Sequence, residues 1–224
     1  MNGSPPTGKD KEPRLKPPTP TRIFHITDVD NLGRILNDGG LHCKQALDTQ
    51  AVPYTNVAYD TVQDRRARTR VPCGPGGPLH NYVPFYFAPR SPMLYTINRG
   101  NVPGRGQRSV VHLVSTVEAV VAAKLAWVFT DGHAIMGLTE FFDDLADLGR
   151  IDWNIMREQY WADTQSDGDR SRRRQAEFLV HGFFPWNLVL GIGVLDDTIR
   201  KQVEAALGSS LHRPQVRIVP KWYY

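Results

Sequence analysis

The sequence predicts an α+β fold, and three observations carry that prediction. Short runs of β-branched and aromatic residues recur along the chain, as expected of half-buried strands. Short helical patterns lie between them at irregular intervals, which argues against regular βαβ winding. No internal repeat is present, and with 41% hydrophobic and 22% charged residues over 224 positions the composition is that of an ordinary globular chain.

Residues 1–20 are rich in Pro, Lys and Gly and nearly devoid of core formers. They read as a disordered tail preceding one domain over 21–224. Residues 21–27 form the first strand. Asp28 caps a helix after it, and Leu32, Ile35 and Leu36 give that helix one apolar face before Gly39-Gly40 ends it. Residues 56–70 read as one polar, basic helix or turn, and 73–79 as a Gly/Pro loop. Residues 83–88 are a strand. Ser91-Pro92 starts a helix whose Met93, Leu94 and Ile97 face inward. The glycines of 100–108 form neither a G-x-G-x-x-G nor a P-loop pattern. Strands follow at 109–114 and 126–130 around a helix at 117–124. The stretches 138–148 and 152–160 look helical, and 164–175 is a polar loop. A strand starts at Glu177. Residues 188–194 and 216–219 are strands flanking a helix over 196–207 that opens on Asp196.

The net charge of +4 permits an anionic partner. Its clustering is more informative: Arg65, Arg66, Arg68 and Arg70 crowd one segment, and Arg170, Arg172, Arg173 and Arg174 another. Two cysteines, Cys43 and Cys73, lack metal-ligand spacing, which argues against a zinc site and a disulfide framework. No apolar run is long enough for a membrane span and no signal peptide opens the chain, so a cytoplasmic protein is expected.

Glu177 stands where a basic loop enters a buried strand. A carboxylate there is costly unless it is paired or used, so it is either an ion-pair partner of one of the three arginines just before it, Arg172, Arg173 or Arg174, or a chemical group. His25 and Thr27 point to one side of their strand by its period of two; the bland alternative is a satisfied histidine at a strand edge. Tyr86 and Phe87 alternate sides, so only one of them can line a cleft beside Phe85. Asp131-Gly132-His133 reads as a turn, with the role of His133 open.

Three blocks, in order, resemble a known family. Phe24-His25-Ile26-Thr27, Asp30-Asn31-Leu32 and Gly39-Gly40-Leu41 look like the opening of the DarT-type DNA ADP-ribosyltransferase toxins. Val83-Pro84-Phe85-Tyr86-Phe87-Ala88 with Arg90-Ser91-Pro92-Met93 is similar to their second signature. Ser171-Arg172-Arg173 and Ala176-Glu177-Phe178-Leu179-Val180 resemble their catalytic block. The resemblance implies an ADP-ribosyltransferase fold, two small sheets around an NAD cleft, with NAD as co-substrate and no metal. It also implies transfer of ADP-ribose to a base of single-stranded DNA, thymine in the best-known branch, and a macrodomain antitoxin, DarG, as partner. On this reading Glu177 and Arg66 are catalytic, with Arg65 second to Arg66. His25, Thr27, Asn31, Arg65, Tyr86 and Met93 hold the cofactor, and Arg172, Arg173, Arg174 and Gln175 meet the DNA. The alternatives are a same-fold module that only binds NAD or nucleic acid, or a transferase acting on guanine, RNA or protein.

Overall fold

A computed structural model describes residues 15–51, 54–55, 60–102 and 106–224. Among these the strands are β1 (Arg22–Asp28), β2 (Gly40–His42), β3 (Tyr82–Tyr86), β4 (Val110–Thr116), β5 (Trp127–Thr130), β6 (Phe141–Phe142), β7 (Glu177–His181), β8 (Phe183–Pro185), β9 (Gly191–Val194) and β10 (Gln215–Ile218). The helices are α1 (Leu32–Asn37), α2 (Lys44–Thr49), α3 (Asp60–Arg68), α4 (Pro92–Asn98), α5 (Val117–Ala122), α6 (Trp153–Arg157), α7 (Arg170–Arg174) and α8 (Asp197–Leu207). Most of the expected tail, residues 1–14, lies outside the described residues, as do 56–59 of the expected 56–70 helix and 103–105 of the glycine loop. Residues 15–20 are placed: the Leu15 amide donates to Asn154 Oδ1 at 3.1 Å.

The two sheets are unequal. One has eight strands in the order β10-β9-β4-β1-β3-β7-β5-β6, and the other pairs β2 with β8. Every pair is antiparallel except β9 with β10. The central strand β4 is buried on both faces because both are covered. Val111 and Leu113 join the main core with Phe85, Phe129 and Phe178, whereas Val110 packs with Leu94, Ile97 and Tyr223 on the other side. Fully burying one such side chain contributes roughly 1.5–3 kcal/mol. Gly40 is needed where β2 approaches β8. Its φ is +157°, and a Cβ there would lie 2.2 Å from the Phe184 carbonyl oxygen.

Helix starts follow their caps. Ser91 Oγ accepts from the Leu94 amide with Pro92 at the first turn, Thr116 Oγ1 accepts from Ala119, and Asp196 accepts from Ile199. Three expected elements differ. The 138–148 stretch is not a helix: Phe141 and Phe142 pair with Thr130 and Phe129, and Leu145–Arg150 is a 3-10 turn. The helix expected over 152–160 stops at Arg157, where Arg174 Nη1 takes the carbonyls of Ile155 and Glu158. The last turn of the 164–175 loop is α7, held by Asp169 against Arg172 and Arg173.

The site is positioned by a local failure of pairing. β1 and β3 meet at one register position only, Phe24 opposite Tyr86. Between them the His25 ring bridges the strands, with Nδ1 2.8 Å from the Pro84 carbonyl oxygen. A cleft opens here, closed on its far side by α1, α2 and α3.

Candidate active site

Glu177 begins β7 directly opposite Tyr86 of β3. It is 1% exposed, and each carboxylate oxygen is engaged. Oε2 accepts from Arg66 Nη1 at 2.7 Å, and Oε1 accepts from the Ala134 amide at 3.1 Å. Its own amide donates to Thr130 Oγ1, which in turn donates to the Gly132 carbonyl. The turn after β5 is thereby fixed against the glutamate, and the His133 amide ties it to the Arg172 carbonyl. Both ways of satisfying a buried carboxylate, a cation and a backbone N–H, are used at once.

Arg66 is 9% exposed and lies between Glu177 and the cleft, which it lines. Its Nη2 is buried and makes no hydrogen bond among the described residues. The neighbouring Arg65 turns outward, donating to the Ile135 carbonyl at 3.1 Å, and does not line the cleft. A helical step of about 100° separates consecutive side chains, so α3 can aim only one of the two inward.

His25, Thr27, Asn31, Tyr86 and Met93 line the same cleft as Arg66. The His25 Nδ1 donates to a carbonyl, so in the neutral ring Nε2 is left as an acceptor. Burial lowers the His25 pKa, outweighing that hydrogen bond, which keeps the ring neutral. Asn31 Nδ2 donates to Thr27 Oγ1 at 3.0 Å and to the Thr55 carbonyl, while its Oδ1 accepts from the Thr55 amide. The Tyr86 phenol is raised by burial first and by the Glu177 carboxylate second, so it remains a neutral donor. Among the described residues no group of three or more His, Cys, Asp or Glu is placed to hold a metal ion, and no helix is long and apolar enough to cross a membrane.

The basic run before Glu177 corrects an expectation. Arg172 pairs with Asp169 and Asp131, and Arg173 with Asp152, Asp167 and Asp169. Arg174 is 3% exposed and donates to the carbonyls of Arg90, Ile155 and Glu158. Gln175 turns back to the Ser171 carbonyl at 3.0 Å. Arg172 and Arg173 are thus neutralised by aspartates, Asp167 and Asp169 close by in the chain and Asp131 and Asp152 far from it, and this run is not a free phosphate-binding loop. No sequence signal pointed to Ala134, whose contribution is a backbone N–H, or to Tyr54, Thr55 and His80 in the cleft wall. His133 stands close enough to Glu177 for the carboxylate to raise its pKa, although burial lowers it more.

A split sheet, a cleft lined from β1 and β3, and a carboxylate buried at the head of the neighbouring strand define an ADP-ribosyltransferase. The family described as "ssDNA thymidine ADP-ribosyltransferase, DarT" matches residues 24–224, and the chain belongs to that family. A DNA ADP-ribosyl transferase of Thermus aquaticus is 47% identical over 211 residues, which is 92% of this chain and 90% of that protein. The solved structure of Thermus sp. 2.9 DarT in complex with ADP-ribosylated ssDNA matches with a TM-score of 0.88 at 41% identity, covering 94% of this chain and 100% of the other. The same protein in complex with NAD+ matches with a TM-score of 0.84 at 39% identity, covering 93% and 100%.

Proposed function

We propose that the chain cleaves NAD and transfers ADP-ribose to thymidine in single-stranded DNA, with Glu177 and Arg66 at the reacting centre. The observation that carries this is the buried Glu177–Arg66 pair at the wall of the cleft, in a family whose relatives are solved with NAD+ and with ADP-ribosylated ssDNA. Loss of nicotinamide leaves cationic character on the ribose. A carboxylate whose geometry is already fixed by Arg66 and the Ala134 amide stabilises that charge at little reorganisation cost. As the bond to nicotinamide breaks, a ring nitrogen of the base bonds to the ribose carbon, and Glu177 is the base that accepts the proton released.

On this reading Arg66 Nη2, a buried donor with no partner among the described residues, serves an oxygen of the dinucleotide. His25 Nε2 accepts from the nicotinamide amide or a ribose hydroxyl, and Thr27, Asn31, Tyr86 and Met93 shape the rest of the NAD site. Residues 21–224 act as one catalytic domain in the cytoplasm, and a DarG-type macrodomain antitoxin reverses the modification; this last point rests on the family resemblance. Mass spectrometry of a thymidine-containing oligonucleotide after incubation with NAD tests the reading. The expected product carries one added ADP-ribose on thymidine. Labelling of protein side chains instead, or NAD consumption with no labelled oligonucleotide, would overturn it. In the same protein NAD raises Tm, since a ligand bound only by the folded state stabilises it, and His25→Ala shrinks that shift.

A further inference from the structure

A second cavity lies beside the NAD cleft, and its lining is strongly cationic. Arg90, Arg157, Arg174 and Lys221 face it, and among the described residues that line it Glu158 has the one acidic side chain. Arg157, Lys221 and Glu158 are exposed, whereas Arg174 forms the buried floor. The Arg90 guanidinium lies 4.3 Å from the centroid of the Tyr224 ring, a cation–π contact that holds it in place. Tyr224 is itself anchored: its hydroxyl contacts Trp161 Nε1 and the carbonyls of Arg90 and Ser91, and its main chain is bonded to Gln107. Arg90 Nε is buried and makes no hydrogen bond among the described residues. Burial, with the nearby Arg90 charge acting in the same sense, brings Arg174 down to about 10. Their aspartate-free setting differs from that of Arg172 and Arg173, which are neutralised within the fold.

We propose that this cavity is an anion subsite that takes a backbone phosphodiester of the DNA strand next to the modified nucleotide. The proposal deepens the reading of the chain as a DNA-modifying enzyme and rests on it. Position supports it from both strands of the site. Arg90 lies four residues after Tyr86, a reach of at most roughly 14 Å, and Arg174 lies three residues before Glu177, at most roughly 11 Å. The short segment from Arg90 to Met93 lines the cavity at one end and the NAD cleft at the other. A guanidinium held in place over an aromatic ring suits a phosphate's paired oxygens, and Lys221 and Arg157 at the rim supply charge without fixed geometry.

The test is anisotropy of a labelled single-stranded thymidine oligonucleotide over a salt series, with wild type, Arg90→Gln and the Arg157→Gln/Lys221→Gln double variant. Arg90→Gln weakens binding on the order of tenfold, as for loss of a charge-assisted hydrogen bond. It also lowers the slope of log affinity against log salt by about 0.7, one phosphate contact on a single strand. The double variant, altered only at exposed positions, lowers the slope in the same sense and keeps the reading secure if Arg90→Gln fails to fold. The NAD-induced Tm shift stays at the wild-type value in both. Unchanged affinity and slope in both variants, with wild type binding the oligonucleotide, overturns the subsite alone. Absence of wild-type binding overturns the subsite and the DNA reading together. Stabilisation of wild type by inorganic phosphate that Arg90→Gln abolishes, with oligonucleotide affinity unaffected, assigns the cavity to free phosphate and also overturns the proposal.

Discussion

At the scale of single residues, Glu177 and Arg66 bind each other in a setting where neither is tolerable alone. Both are almost wholly buried, and removing one partner of such a pair leaves an uncompensated charge, a cost of about 3–5 kcal/mol. Glu177→Gln therefore has two effects. Its amide keeps the size of the side chain and can still accept from the Ala134 amide, yet transfer falls by roughly 100- to 1000-fold because the charge that meets the ribose cation is gone. Stability drops as well, since Arg66 loses its counter-ion. Labelling assays and thermal denaturation read the two effects separately, and labelling within a few fold of wild type would remove Glu177 from the reacting centre. A second residue-scale prediction concerns pH. His112 is fully buried, which pushes its pKa down to about 4 against 6.5 in the unfolded chain. Between these values the unfolded state binds the extra proton, so stability falls as pH falls, by about 1.4 kcal/mol per unit from this group. His25, His80 and His133 are lowered too and act in the same direction just below 6.5. Asp167 and Asp169, held low by arginines, add their loss only below the usual carboxylate range. Tm is therefore highest from about pH 7 and declines toward pH 5, and His112→Gln flattens the decline. A flat Tm from pH 7 to 5 in wild type would contradict this.

At the scale of elements, α7 joins the loop to β7 through its arginines rather than through its length, which is only five residues. Arg174 closes the end of α6 and holds the Arg90 carbonyl, so it fastens two neighbouring segments. Arg174→Met leaves three carbonyls without this donor and costs about 2–3 kcal/mol, or roughly 5–10 °C in Tm for a chain of this size. Arg65→Ala, exposed on α3, changes Tm little. Equal shifts in the two variants would show that α7 is not the fastening piece. The same elements explain what was legible beforehand. β1, β3 and β7 announced themselves because Ile23, Phe24, Val83, Phe85, Phe178 and Val180 are β-branched or aromatic residues in short apolar runs, a pattern that local geometry decides. Ser91 and Asp196 marked their helices for the same reason. Phe141 and Phe142 carried no such signal, because their strand exists only through pairing with β5. Two of the partners of Arg172 and Arg173 were hidden because Asp131 and Asp152 lie far away in the chain, and Arg66 could not be separated from Arg65 until α3 had an orientation against β7.

At the scale of the whole molecule, the acceptor decides how the enzyme meets its substrate. Transfer needs a base edge in contact with the ribose, and Watson–Crick pairing covers the ring nitrogen of thymine. Glu177 offers no way round this, since it is 1% exposed behind Arg66; the base must travel to the carboxylate. Enzymes that act on duplex extrude the target at a cost of a few kcal/mol for unpairing and unstacking. The aspartate-paired Arg172 and Arg173 supply no free cationic wedge for that purpose. Single-stranded oligonucleotide is therefore labelled, and the same sequence annealed to its complement is labelled slower by on the order of a hundredfold or more, the rate equivalent of a few kcal/mol. A mismatched or bulged thymidine within a duplex recovers much of the lost rate, because its unpairing is already done. Labelling of the single strand also weakens as salt rises, since phosphate contacts release counter-ions. Time courses by mass spectrometry on the three substrates at two salt concentrations decide the matter: equal rates on paired and unpaired thymidine would mean that the fold opens the duplex itself.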